Sequence, residues 1–262
     1  MKKRGRYAKN ALKGGENGEL FMNTFLVLTF LFYIGSTLGW VIELFFRRFA
    51  HKKWINPGFL TGPYLPLYGI GLIFLYAICS IDYSFIPSGI WRDVFVVVLI
   101  AVIMTLVEYI TGLIFIKGMK VKLWDYSDRW GNISGIICPL FSFFWAVIGA
   151  LYYFVIHSAI SNMVGWFNAN IAYSFVVGMF FGIFVLDCIY SFKVVAKIKK
   201  FAKENNIVVR YEALKLSIAT KAQELKHRAH FVFAFRSADA FENELKHYSE
   251  KERNTIFKRK RG

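Results

Sequence analysis

The sequence predicts an all-α protein: a polytopic membrane helical bundle of about five spans with a helical cytoplasmic tail. Three observations lead there. Hydrophobic residues make up 56% of the 262 residues and aromatics 19%, too apolar for an ordinary soluble domain. Five stretches approach the roughly 20 mostly apolar residues that a spanning helix needs. The formal net charge of +16 is concentrated outside those stretches.

In chain order, residues 1–19 read as a basic N-terminal tail, with six basic residues and no acid among residues 1–13. The membrane domain occupies 20–192, with spans at about 20–46, 62–80, 93–116, 133–157 and 169–192. The first stretch is too long for a signal-peptide core and no small-residue cleavage site follows it, so it is expected to persist as a helix. Residues 193–262 form a basic tail with 18 Lys+Arg against 8 Asp+Glu.

Charge orients the spans. The loop after span one carries Arg47, Arg48, Lys52 and Lys53, and the loop after span three carries Lys117, Lys120, Lys122 and Arg129. Lys193, Lys197, Lys199, Lys200 and Lys203 follow span five. Those 13 residues outnumber the seven on the other side, which places the C-terminus in the cytoplasm and the chain in the cell membrane as a multi-pass protein. The N-terminal basic cluster opposes this orientation. The same rule accounts for the basic surplus without a specific nucleic-acid partner, so membrane lipid is the expected one.

"WINPGFLTGPYLPLYGIG" (Trp54 to Gly71) opens span two with three of the five prolines. Pro57 and Gly58 suit a turn, whereas Pro63 and Pro66 are expected to kink or unwind the first turns of the span. Trp54-Ile-Asn56 here and Trp130-Gly-Asn132 before span four share a pattern: Trp-x-Asn, a glycine, two apolar residues and a later proline. A glutamate lies upstream of each, Glu43 and Glu108. The reading is two parallel hairpin repeats, about 20–80 and about 93–157, plus a fifth span at about 169–192. Chance matches at membrane interfaces, where Trp is already enriched, are the bland alternative.

Glu43, Glu108 and Asp187 are the acids inside the spans beyond Asp93, which stands at the start of span three. Intramembrane charge is costly unless it faces the bundle interior and finds a partner. Arg47 lies at i+4 from Glu43 and can pair with it. Glu108 has no basic residue within a turn, and Asn132, Asn56 or Arg129 are its expected partners. Asp187 can instead snorkel toward the basic run beyond it. In "KVKLWDYSDRWGN" (Lys120 to Asn132), Trp124 and Trp130 suit an aromatic belt, while Asp125 and Asn132 are expected to join Glu108 at a pocket mouth. The candidate substrate pocket is therefore Glu43, Asn56, Glu108, Asp125 and Asn132, with Trp54, Trp124, Trp130 and Asp187 secondary.

No soluble-enzyme signature is present, and the three cysteines lack metal spacing. The expectation is a non-enzyme without cofactor or metal; an intramembrane enzyme using Glu108 and Asp125 on a lipid headgroup is the weakest alternative. Residues 205–250 read as a helix with a stripe at Ile207, Tyr211, Leu214, Ile218, Ala222, Leu225, Ala229 and Val232. That spacing suits a coiled-coil seam and a homo-oligomer.

"GWVIELFF" (Gly39 to Phe46), "NPGFLTGPYLPLYGIG" (Asn56 to Gly71), Glu108 and "WDYSDRWGNISGIIC" (Trp124 to Cys138) resemble the CmpB-like ABC-transporter type IV permeases, a family of bacterial membrane proteins. The resemblance covers roughly residues 30–190. It departs from the family pattern at Pro57, where arginine is usual, and at Pro139. It implies a permease subunit that needs a separate ATPase, since this chain contains none. The alternative is a lipid-recognising membrane scaffold or regulator that recruits partners through its C-terminal helix.

Overall fold

The computed structural model describes residues 2–217 apart from 53, 55 and 88. The later part of the tail stripe, from Ile218 to Val232, lies outside the described residues.

Helix α1 spans Lys2–His51, with its apolar part at Asn23–Phe49. Helix α2 spans Pro66–Cys79, and α3 spans Ile90–Leu113, prolonged by a π-helical turn at Ile114–Met119. Lys120 closes that turn in the left-handed conformation and leads into strand β1, Val121–Lys122. Helix α4 (Pro139–Leu151) continues through a second π-turn, Tyr152–Ile156, into α5 (His157–Ala169). A 3₁₀ turn at Ile171–Tyr173 leads to α6 (Ser174–Glu204), and strand β2 is Val209–Arg210. The strands pair in parallel, Val121 opposite Val209 and Lys122 opposite Arg210.

Among the described residues, four helical stretches are long and apolar enough to cross a membrane: Asn23–Phe49, Ile90–Met119, Pro139–Ala169 and Ile171–Glu204. The expected second span is shorter than predicted. Pro66 occupies the first positions of α2, where its missing N–H costs nothing, so residues 62–65 stay outside the helix. The resulting 14-residue helix is about 21 Å long at 1.5 Å per residue. The expected fourth span also moves. Ser134 and Gly135 take positive φ, Ile133 and Ile137 form a bridge, and the helix starts only at Pro139. It runs to Ala169 rather than 157, so the loop before α6 shrinks to a few residues around Asn170.

The chain divides into two compact units. The first comprises Met1–Val41, Gly62–Met104 and Phe143–Leu186. Its core joins Leu31, Leu72, Leu75, Val96, Ile100, Met104 and Tyr152. Within it, a Cβ at Gly39 of α1 would fall inside the Tyr68 ring of α2. Small residues that let helices approach closely are the usual adhesive of membrane bundles, where hydrophobic burial between helices gives no gain over lipid.

The second unit comprises Ile42–Thr61, Thr105–Ser142 and Asp187–Gly262. Its core joins Val121, Val195, Ile198, Ala202, Val209, Tyr211 and Leu214. This corrects the start of the expected tail helix. Asn206 turns the chain through positive φ, Ile207 N–H bonds back to the Ala202 carbonyl, and 209–210 is strand before a helical turn resumes at 211. Tyr211 and Leu214, assigned by their spacing to a seam with a second chain, are buried in this unit's own core.

Candidate functional site

Helix α3 turns one face inward at Met104, Glu108, Gly112 and Phe115, all buried. Their spacing of four, four and three is that of one helical face. Val102, Leu106, Ile110 and Ile114 form the opposite, exposed face. Glu108 therefore lies under protein rather than lipid, with 4% of its surface exposed.

The loop after β1 covers that face. Ile136 packs against Gly112, one turn beyond Glu108, where any Cβ would collide with it. Trp124 Nε1 donates to the Ile136 carbonyl at 2.9 Å, and Tyr126 N–H donates to the Gly135 carbonyl at 2.9 Å. These bonds deliver the Tyr126 hydroxyl to Glu108 Oε1 at 3.1 Å. The Tyr126 ring lies parallel on Phe141, with centroids 4.0 Å apart. A carboxyl in a low-dielectric site gains from such a donor, because hydrogen bonds to charged groups are worth about 1.5–3 kcal/mol.

Asp125 ties the loop to β1 and β2. Its Oδ1 pairs with Lys122 Nζ at 2.6 Å and its Oδ2 with Arg210 Nε at 2.9 Å. Ser127 also donates to it from both its backbone N–H and its hydroxyl. Burial raises the Asp125 pKa, but the bonds from Lys122 and Ser127 and the Lys122 charge outweigh it and hold the carboxyl below the usual carboxylate range. Gly135 sits against this network with φ +63°. A Cβ there would meet Lys122, Ser127 and Asp125, so the position requires glycine.

Asn132 fixes the same loop. Its side-chain amide donates to the Ser127 and Arg129 carbonyls, and its oxygen accepts from Gly135 N–H at 3.0 Å. Asn56 fixes the first Trp-x-Asn loop by donating to the Leu60 and Thr61 carbonyls at 3.1 and 2.9 Å. Asp187 holds the end of that loop, accepting from the Thr61 N–H and hydroxyl and from Ser191. Trp54 and Trp130 are exposed; Trp54 stands edge-on to Phe45 with the Arg48 guanidinium 5.7 Å above its ring.

Glu43 pairs with Arg47 at 3.2 Å, as the i+4 spacing predicts, and Arg47 is buried. The second partner of Arg47 is Glu212, at 2.7 Å. On the same helical turn, Lys215 Nζ donates to the Asn56 and Gly58 carbonyls at 3.0 and 2.6 Å and lies 5.0 Å from the Tyr211 ring centre. Burial pushes the Lys215 ammonium pKa down to about 8; the Arg47 charge acts the same way and Glu212 opposes it. Burial likewise raises the Tyr211 phenol to about 12, helped by the Asp187 charge. One short segment, Arg210 to Lys215, thus binds the end of α1 through Glu212, the loop after α1 through Lys215 and the loop after β1 through Arg210.

Sequence reasoning missed Tyr126 as the partner of Glu108, and it missed Glu212, Lys215 and Arg210. Tyr126 stood within the aromatic loop already singled out. The other three are charged residues off the apolar stripe of a segment read as a coiled-coil helix, which instead begins with a strand paired to β1.

A family model described as "Putative ABC-transporter type IV" matches residues 30–192. The chain belongs to this family. The matched region holds Glu43, Asn56, Glu108, Asp125, Asn132 and Asp187, and it ends before the segment that carries Arg210, Glu212 and Lys215. Family membership and the four apolar helices make this a membrane protein. No curated protein and no solved structure matches the chain.

Proposed function

We propose that the protein is the permease component of an ABC-type transporter, working in the cell membrane with a separate ATPase chain and performing no reaction of its own. The observation that carries this reading is the buried Glu108 carboxyl on the inward face of an apolar helix, hydrogen-bonded by Tyr126. A carboxyl so placed is expensive to bury and is a functional residue by default. It offers an acceptor that a cationic or donor-bearing substrate group can claim from the Tyr126 hydroxyl.

The second unit gathers Arg47, Arg48, Lys52, Lys117, Lys120, Lys122, Arg129 and the α6 lysines from Lys193 onward. This supports a cytoplasmic location for it, with both Trp-x-Asn loops and the C-terminus on that side. The two hairpins are read as parallel repeats, since Asn56 and Asn132 both stitch loops of this unit through their side-chain amides. They do so in opposite directions along the chain, so the repeat lies in the placement of the loops and not in identical bonding. The stripe from Ile218 onward remains the surface proposed for a second copy of the chain.

Purification in a mild detergent, with identification of bound proteins and lipids, tests the reading. An ATPase chain in stoichiometric amount supports it. The second reading, a lipid-recognising scaffold that recruits partners through its tail, draws on the exposed Trp54 and Trp130. Retained lipid without any ATPase would favour that alternative.

A further inference from the structure

The segment between α2 and α3, "SIDYSFIPSGIW" (Ser80 to Trp91), exposes several large apolar side chains. Its apolar side chains point outward: Phe85 is 74% exposed, Ile90 72%, Trp91 75% and Ile81 54%. Asp82 and Ser84 are exposed as well and bond to each other. Asp82 accepts from the Ser84 N–H and hydroxyl at 2.9 and 3.0 Å. Arg92 donates to the Ile86 carbonyl at 2.8 Å, and the Tyr153 hydroxyl donates to Asp93 at 3.1 Å. Tyr83 is buried, with its hydroxyl on the Ile78 carbonyl at 2.9 Å.

Two further observations say what covers this surface. The 14-residue α2 is about 21 Å long, short of a hydrocarbon core of about 30 Å. The apolar segment begins where α2 stops. On its other side, Trp91 leads directly into the exposed row Val94, Phe95, Val98 and Val102 of α3, so the surface continues an apolar helix face of a candidate membrane span.

We propose that the apolar side chains of the link between α2 and α3 are inserted into one leaflet of the bilayer, with Ile81, Phe85 and Ile90 against acyl chains and Trp91 at the headgroup boundary. Helix α2 crosses the remaining thickness and the insert completes the passage. The occupant is lipid, because the exposed apolar side chains are continuous with a helix face of spanning length. Trp at the boundary is the position that an amphipathic indole favours.

The test uses the full chain in phosphatidylcholine–phosphatidylglycerol vesicles. A nitroxide is placed at Phe85→Cys in a variant with Cys79, Cys138 and Cys188 replaced by serine or alanine. Collisions with oxygen are expected to exceed those with a water-soluble nickel chelate several-fold. Nickel collisions as frequent as those of a label at Lys199→Cys would overturn the proposal and place the loop in water. Dipolar broadening that disappears on dilution with unlabelled chain would overturn it too, by assigning the surface to a second copy. Should the cysteine replacements disturb the fold, the native chain is compared with Trp91→Phe in vesicles whose lipids are brominated near the headgroup. Wild type is expected to lose the larger share of its fluorescence; equal loss would overturn the proposal.

Discussion

Tyr126 donates its phenolic hydroxyl to Glu108 Oε1 at 3.1 Å, across 18 residues of chain that include the end of α3, its π-turn and β1. The bond is a consequence of loop architecture. Trp124, Tyr126 and Asn132 each bond to backbone within the loop or along its return, so the hydroxyl is held in place before any substrate arrives. Pi-helical turns such as the one after Leu113 are often found at functional sites, and here the turn lies between the carboxyl and the loop that serves it.

Glu108→Gln keeps the shape and an acceptor for Tyr126, so it is expected to fold with a loss under about 1 kcal/mol. Glu108→Ala removes an acceptor of the Tyr126 hydroxyl and opens a void, for about 2–3 kcal/mol. Tyr126→Phe is expected to cost about 1.5–3 kcal/mol if the carboxylate is charged. Thermal unfolding in detergent reads all three. Equal stability of wild type, Glu108→Gln and Glu108→Ala would remove the carboxyl from any organised site.

Arg47, near the end of α1, joins Glu43 to Glu212. Removing one member of a buried ionic group strands the others, at a cost of about 3–5 kcal/mol. Arg47→Met is therefore expected to lower stability by about 3 kcal/mol. Glu212→Gln keeps an acceptor and is more exposed, so about 1 kcal/mol or less is expected. Comparable melting of wild type and Arg47→Met would show that the Glu43–Arg47–Glu212 contacts are incidental.

The Lys215 ammonium gives a signed pH dependence. Its pKa falls from 10.5 to about 8 on folding, so between those values the unfolded chain holds more protons than the folded one. Stability contributed at this site rises with pH across that interval. Asp125 acts at the other end: its folded carboxyl is held low, so its contribution is present above the unfolded carboxylate range and is lost as pH falls through the folded value. Melting profiles of Lys215→Met and Asp125→Asn, each against wild type, are expected to flatten in the alkaline and the acid limb respectively. Unchanged profiles would contradict the geometry of the segment from Arg210 to Lys215.

Much of this was legible in the residues. Composition and apolar run lengths located the helices, the i+4 spacing announced Glu43–Arg47, and Glu108 stood out because no basic residue lies within a turn of it. The misses share a cause, namely long-range pairing that leaves no local pattern. Spacing by three and four at Ile207, Tyr211 and Leu214 suits a helix, yet a two-residue parallel strand with Val121–Lys122 overrides it at 209–210. Pro66 and Pro139 signalled disruption, but either could kink a helix or begin one; both begin one, which shortens α2 and delays α4. Tyr126 was an aromatic among aromatics until its loop closed on α3.

Topology is checked by a membrane-impermeant maleimide on intact cells, with cysteines introduced one at a time into a cysteine-free chain. Asn170→Cys, in the short link between α5 and α6, is expected to label from outside, and Lys120→Cys is not. The loop site must be Asn170 because Ser161, which the run lengths placed in a loop, lies within α5. The reverse labelling would put the basic second unit outside the cell and invert the proposed orientation.

The most direct test of the permease reading is ATP hydrolysis by the chain purified in mild detergent together with whatever ATPase it retains, compared with Glu108→Gln prepared identically. A stoichiometric ATPase in both preparations, with turnover or its substrate response strongly reduced in Glu108→Gln while the complex stays intact, is the predicted result. A wild-type chain that purifies without any ATPase, or a complex whose hydrolysis is indifferent to Glu108→Gln, would contradict the account.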